Sequence, residues 1–245
     1  MRDLLIKICE PSIWIIVLVE ALISITLIRD AIVTKKSISF FSFFFTLGLI
    51  FDAIIIGIGT VLAREAIYAI SPIRFIAHGV LIPLLLPICG YALKLKRKFM
   101  IIVWAVTIIL MIFGIAEALA TDLEVIELAG VVRCASTDDT PDWAKTISTL
   151  LSFGTVIPMM IAGIIAWIRQ GNQYLFLSGV FMFAFSALGP ATGNTDLIFF
   201  ISMFGELFLI LFLFLYIKKD DSTPRDCEYW NTKGWAGKKR PWKSI

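Results

Sequence analysis

The sequence predicts an all-α membrane protein with seven transmembrane helices, and three observations support this fold class. The 245 residues are 59% hydrophobic and only 17% charged, with a mean hydropathy of +0.90, whereas soluble domains are about a quarter charged. The apolar residues form long runs and do not alternate with polar ones. Seven of these runs have spanning length. We therefore expect a membrane domain over residues 1–217, a tail over 218–245, and no nucleic-acid partner.

The seven runs follow one another with short connections, except at 120–145. The predicted spans cover residues 12–33, 38–61, 72–93, 99–119, 146–168, 173–193 and 196–217. Sixteen Lys and Arg residues lie on the side of the odd connections and the tail, and five lie on the other side. Because Lys and Arg favour the cytosolic side, the N-terminus is predicted outside and the tail in the cytosol. This multi-pass protein could reside in the endoplasmic reticulum or the plasma membrane.

The long connection over 120–145 carries an excess of acidic residues and is interpreted as a solvated outer loop. The fourth helix is expected to continue through Glu124 and Ile126, with a turn near Pro141. Cys134 in this loop and Cys9 before the first span lie on the same side. A disulfide between them is one alternative, and two free thiols are the other.

The tail over 218–245 combines three tryptophans with basic residues. Trp230, Trp235 and Trp242 would suit the headgroup region, and the bases would suit anionic lipid. A solvated, disordered tail is the alternative.

Six ionisable residues inside or at the margins of the predicted spans fall in the outer half of the bundle or near its middle. Their positions follow from the predicted orientation and a rise of about 1.5 Å per residue. Charged groups in lipid are costly, so such residues usually face the protein interior. We therefore expect a polar chamber, open or gated toward the outside. The residues are Glu20, Asp52, Arg74, His78, Glu117 and Glu206.

Asp52 and Glu206 are the strongest catalytic candidates because each lies in mid-helix between apolar residues. Either could donate a proton if it is kept neutral by burial. His78, the only histidine, is the third catalytic candidate. Arg74 precedes it by four residues, on the same helix face, and could neutralise one carboxylate. A structural clamp between Arg74, His78 and a carboxylate is the alternative.

Three further residues are candidates for binding the substrate beside Arg74. Glu20 could line the chamber or bond a neighbouring helix. Phe51 and Phe185 could present aromatic faces to an apolar or cationic species, although packing and lipid contact explain most of the 20 phenylalanines. Glu117 is placed at the interface.

The sequence favours neither a metal nor an organic cofactor. It has a single histidine and no CxxC pair, which argues against zinc and haem sites. It also lacks a P-loop and a GxGxxG motif.

The third span resembles the third helix of microbial rhodopsins. Arg74-Phe75 followed by Pro83-Leu84-Leu85-Leu86 is similar to the Arg-Tyr and Pro-Leu-Leu-Leu of that family at the same separation. The resemblance implies a seven-helix fold with the N-terminus outside. It does not imply retinal, because the acidic counter-ion position is Ala77 and the last span has no lysine before Lys218.

The layout of the whole chain also resembles the small integral-membrane terpene cyclases of meroterpenoid and indole-diterpene pathways. That family has a similar length, seven spans and essential acids on helices 2 and 7, the places of Asp52 and Glu206. The family has Glu where this chain has Asp52. The resemblance implies an intramembrane enzyme that cyclises an isoprenoid by acid catalysis. A non-enzymatic binder or proton-coupled transporter on a rhodopsin-like bundle is the alternative, as is a receptor or scaffold acting through its tail.

Overall fold

The computed structural model describes residues 2–191 and 193–222 of the chain, except for the side chains of 2, 187–191, 221 and 222. It consists of eight helices and one β-hairpin. The helices are α1 (Arg2–Thr34), α2 (Ser37–Gly57), α3 (Arg64–Leu81), α4 (Leu85–Ala92), α5 (Arg97–Ala120), α6 (Asp142–Gln170), α7 (Tyr174–Ala191) and α8 (Thr195–Ser222), and the strands are β1 (Leu123–Leu128) and β2 (Val131–Ser136).

The helical character and membrane compatibility of the chain agree with the prediction. Six helical segments of the described residues are long and apolar enough to cross a membrane, counting α3 to α4 as one, and α7 is a shorter apolar helix. Three helices begin well before the predicted spans, namely α1 at Arg2, α3 at Arg64 and α6 at Asp142. These first turns are polar, so hydropathy alone does not include them. The tryptophans of the tail lie outside the described residues.

The third predicted span is two α-helices joined by a short 3₁₀ turn. This turn covers Ile82–Leu84, between α3 and α4. Pro83 lies inside the turn and Pro87 in the first turn of α4. Proline has no N–H for the helix ladder and its ring crowds the preceding turn, so a break at this point is the expected outcome.

The β-hairpin over Leu123–Ser136 corrects the expectation of a purely α-helical chain. Helix α5 ends at Ala120 and does not continue through Glu124 and Ile126, which belong to β1. Leu128 pairs with Val131 across a two-residue turn. Both turn residues, Ala129 and Gly130, have positive φ angles, as a type I′ turn requires. The turn residues and the β-branched residues of this segment therefore favour a hairpin over continuation of α5.

With α3 and α4 counted as one segment, the helices form a closed ring in which each packs against its sequence neighbour and α8 packs against α1. The hairpin lies over one end of this ring, which we call the hairpin end. Ala129 of its turn and Val131 of β2 are buried with Cys9 and Ile13 of α1 and Phe199 of α8. Cys9 and Cys134 are both buried free thiols.

The opposite end of the ring, the Tyr216 end, is closed by side-chain hydrogen bonds. Tyr216 donates to Gln170 Oε1 at 2.6 Å, and Gln170 Nε2 donates to the carbonyl of Ala92 at 2.9 Å. Asn172 donates to the carbonyl of Tyr216 at 2.9 Å. These bonds tie α4, α6 and α8 together. The larger apolar core, which includes Leu85, Met159 and Leu213, lies between this network and the middle of the bundle.

Candidate functional site

A buried ion pair between α2 and α3 forms the centre of the site. Asp52 is the buried polar residue of an otherwise apolar turn of α2. Arg74 Nε lies 2.5 Å from Asp52 Oδ1, and His78 Nε2 lies 3.2 Å from the same oxygen. Arg74 and His78 reach one carboxylate together because residues four apart share a helix face. The predicted convergence of these three residues is therefore present in the structure.

Helix α3 approaches α5 closely at the level of this ion pair. A Cβ atom on Gly79 would meet the backbone of Gly114, and one on Gly114 would meet the backbone of Gly79. The absence of side chains at both positions allows the two helices to touch. This contact fixes the helix that carries Arg74 and His78.

Glu206 of α8 completes the central group. Single ligand atoms of Asp52, His78 and Glu206 lie within 4.8 Å of one another. One imidazole and two carboxylates can bind a divalent cation. Arg74 already lies on the Asp52 carboxylate, however, and a nearby guanidinium opposes a second cation at this place. The contacts therefore favour an ion-paired carboxylate over a metal ligand.

Arg133 of β2 brings a second guanidinium to the centre, whereas the sequence predicts a solvated loop at this position. It lines a cavity of about 220 Å³ with Asp52, Arg74 and Glu206, here called the ion-pair cavity. Its guanidinium carbon lies 4.8 Å from the centre of the Phe199 ring. Burial lowers the pKa of Arg133 to about 10, and the charge of Arg74 adds to this effect. Arg133 therefore remains a cation at neutral pH.

Glu20 of α1 is buried beside the central group, with only 1% of its surface exposed. Its Oε2 atom makes no hydrogen bond to any described residue. Glu20 is close enough to Glu206 and Asp52 for their negative charges to repel its own. The centre thus combines three carboxyl groups with two guanidinium groups. Because a net charge is costly in an apolar interior, we expect one of these carboxyl groups to hold a proton.

A larger and mostly apolar cavity lies on the other side of His78 and Glu206. This apolar cavity has a volume of about 410 Å³, within the range of small-molecule sites. His78 and Glu206 supply its ionisable groups. Hydroxyl groups of α6 line it toward the hairpin end. Its apolar wall includes Phe45, Leu49, Leu85, Met182 and Leu209.

A third cavity of about 220 Å³ extends from His78 toward the hairpin end, between α3, α5 and α6. We call it the rim cavity, and Arg74, Glu117, Thr121 and Ser148 line it. His78 borders all three cavities. Glu117 therefore has access to the site, although the sequence interpretation placed it at the interface.

The two phenylalanines predicted to bind substrate lie away from the walls of these cavities. Phe51 is on the outer face of α2 and is 38% exposed. Phe185 packs in an aromatic group with Phe181 and Phe208. Phe45 and Phe183 line the apolar cavity instead. Hydropathy could not show which phenylalanines face the cavities, because every face of these helices is rich in phenylalanine.

Comparison with known proteins does not assign the chain to a family. No protein-family model matches the chain, and no curated protein matches it significantly.

Proposed function

We propose that the chain is an intramembrane enzyme that acts by acid catalysis on a lipid-soluble substrate, with isoprenoid cyclisation as the reaction class. One observation carries this proposal. Glu206 and His78 line the apolar cavity, whereas Asp52 is not part of its wall and is paired with Arg74. The site thus separates an acid that has no ion-pair partner among the described residues from a paired one, an arrangement that acid catalysis uses. The reaction class rests on the resemblance in layout to membrane terpene cyclases.

Glu206 is the proton donor in this proposal. Its O–H bond breaks as a new bond forms from the proton to an epoxide oxygen or an alkene carbon of the substrate. The resulting carbocation is attacked by another double bond of the same molecule, and ring faces of Phe45 and Phe183 stabilise the positive charge. His78 then accepts a proton from the cyclised cation and returns it to Glu206. The reaction is an isomerisation, so no atoms are gained or lost.

Asp52 has a supporting role in this proposal, in contrast to the equal roles given to the two acids from sequence. Its Oδ1 atom lies near both Arg74 Nε and His78 Nε2. A carboxylate in this position orients the imidazole and stabilises its charged form. It is a poor proton donor as long as Arg74 is paired with it.

We also infer that the bundle crosses the membrane seven times, with the hairpin end outside and the Tyr216 end in the cytosol. The six long apolar segments and α7 supply the seven crossings. The distribution of Lys and Arg supports this orientation. The hairpin would then cover the site from the outer aqueous side.

A proton-coupled transporter is the second candidate, because it would use the same acids. A transporter needs a polar path to each side in turn. The bonds between Tyr216, Gln170 and Ala92 close the cytosolic end, and a cavity described there has a volume of only about 20 Å³. The core between this end and Glu206 is apolar apart from the buried hydroxyl groups of Ser24, Ser39, Ser42, Thr46 and Ser178. The structure therefore favours the enzyme.

The test is the conversion of polyprenyl alcohols bearing a terminal epoxide by the protein in liposomes, with cyclic isomers detected by gas chromatography and mass spectrometry. Glu206→Gln should reduce turnover by about 10²–10⁴-fold, the usual contribution of a general acid. Glu124→Gln, an exposed change on the hairpin, is the control. A Glu206→Gln protein with full turnover would exclude this mechanism. Substrate-dependent proton uptake into the liposomes without a product would favour the transporter.

A further inference from the structure

Helices α6 and α7 are closest to each other in the half of the bundle near the Tyr216 end. A Cβ atom on Gly163 would meet the backbone of Phe176, and one on Gly179 would meet Met160. Close backbone approach at small residues is the usual way in which membrane helices pack tightly. The pair is therefore tightly packed over this half of its length.

Toward the hairpin end, side chains at the wall of the apolar cavity bridge the same two helices. Phe153 and Phe183 form an edge-to-face pair with ring centres 6.2 Å apart. Both rings line the cavity, and yet Phe153 is 49% exposed and Phe183 is 38% exposed. A residue that lines a cavity and is exposed on the bundle surface marks an opening. Phe153 lies eleven residues into α6, or about 16 Å along the helix, so this opening faces the membrane.

The apolar cavity is polar at one end and apolar at the other. Ser148, Thr149 and Ser152 of α6 line it near the opening. Thr149 and Ser152 donate their own hydrogens to the carbonyls of Lys145 and Ser148. Their oxygens can therefore accept a hydrogen bond from a ligand. The deeper wall, with Leu85 and Leu209, is buried and apolar.

We propose that a single-chain isoprenoid amphiphile enters the apolar cavity from the membrane through the opening between Phe153 and Phe183. Its polar end remains at the hydroxyl groups of Thr149 and Ser152, and its chain extends toward Leu85 and Leu209. In this orientation the chain passes His78 and Glu206. The inference rests on the proposed function for the chemical class of the ligand, and it adds the route of entry and the direction of binding.

The experiment uses a farnesol analogue with a diazirine at its terminal isoprene unit and the full chain in liposomes. After illumination, the adducts are located by mass spectrometry of peptides. In the unmodified protein we expect adducts on the deep wall of the cavity, near Leu85 and Leu209. Adducts confined to the outward positions Leu150 and Ile157, which are both exposed, would overturn the proposal.

Two pairs of substitutions test the route. The double variant Phe153→Trp, Phe183→Trp narrows the opening and should lose the deep adducts, whereas Phe153→Ala, Phe183→Ala widens it and should increase them. The control Leu150→Trp, Ile157→Trp adds the same number of indole rings to the outward face of α6 and should label normally. Equal deep labelling of all these proteins would overturn entry between α6 and α7.

Competition tests the direction of binding. Unlabelled farnesol should displace the probe, and farnesene, a hydrocarbon without the polar end, should compete less well. Equal competition would overturn the role of the hydroxyl groups. The variant Glu206→Gln should label like the unmodified protein, because labelling reports binding. Failure of the entry route would thus appear in the labelling, and failure of the acid mechanism in the turnover.

Discussion

Arg74 Nε lies 2.5 Å from Oδ1 of Asp52, so a guanidinium of α3 and a carboxylate of α2 form an ion pair that is almost fully buried. Removing one partner of such a pair leaves the other charge without compensation. Removing both partners restores neutrality. This difference allows the contribution of the pair to be measured.

Asp52→Asn is expected to lower the free energy of unfolding by about 3–5 kcal/mol because the Arg74 charge is left alone. The double variant Asp52→Asn, Arg74→Met should be clearly more stable than Asp52→Asn. Unfolding in mixed detergent micelles measures both values, with Asp139→Asn, an exposed change, as the control. A double variant that is no more stable than Asp52→Asn would show that the two residues are not coupled.

Gly79→Ala is expected to destabilise the protein by about 1–3 kcal/mol because the new methyl group meets the Gly114 backbone. Gly154→Ala is the matched control in α6, where the side chain nearest to the added Cβ would be Leu150 at 4.0 Å. That change should be neutral, or stabilising by about 0.5–1 kcal/mol. Thermal unfolding of the two variants gives the comparison. Equal Tm values would show that the α3–α5 contact tolerates a side chain.

Arg133→Ala is expected to loosen the hairpin, because Arg133 contacts Phe199 of α8 and shares a cavity with Asp52 and Glu206. Loss of a cation–π contact of about 1 kcal/mol corresponds to about fivefold faster exchange of the hairpin amides. Hydrogen–deuterium exchange over residues 123–136 measures this rate, and Arg64→Ala is the exposed control. Unchanged exchange would mean that the turn alone holds the hairpin in place.

Tyr216→Phe is expected to cost about 1–3 kcal/mol because Gln170 loses its hydrogen-bond donor in a closed part of the bundle. Tyr68→Phe removes a hydroxyl from a tyrosine that is 52% exposed, and it should have little effect. Chemical unfolding of both variants measures the two free energies of unfolding. A Tyr216→Phe protein as stable as Tyr68→Phe would indicate that water replaces the lost bond.

The proposed orientation predicts which loops react with a membrane-impermeant maleimide. In a chain whose four cysteines are replaced by serine, Asp138→Cys should react from the outer or lumenal side of sealed vesicles of known orientation. Lys96→Cys should react only from the cytosolic side, because it lies in a connection rich in Lys. Both positions are exposed in the structure. The reverse pattern would invert the topology.

The central residues could be predicted from sequence because long apolar helices leave few places for an ionisable group. Asp52, His78 and Glu206 occur at similar depths on three helices. Because charged groups in lipid are costly, all three are expected to face the interior of the bundle. The face of each helix was harder to predict. Phe51 is adjacent to Asp52 in sequence, but consecutive residues of a helix point about 100° apart. Asp52 therefore faces inward and Phe51 outward.

The hairpin and Arg133 were missed for a different reason. Hydropathy searches at spanning length detect helices, whereas this hairpin depends on a short β-branched segment and a turn at Ala129 and Gly130. The segment EVIELAGVVRCAS carries that signal in its β-branched residues and its Gly. Its docking onto α1 and α8 is a long-range contact that no local pattern encodes. The second cation of the site depends on this contact.

The position of His78 at the border of all three cavities gives this protein a native spectroscopic reporter. Because the chain has only one histidine, isotopic labelling of that amino acid alone would yield a single imidazole spin system in magnetic resonance spectra. Its chemical shifts would respond to occupancy of the apolar cavity, to hydration of the rim cavity and to the state of the Asp52–Arg74 pair. Screening for the natural ligand can therefore begin before any turnover assay exists.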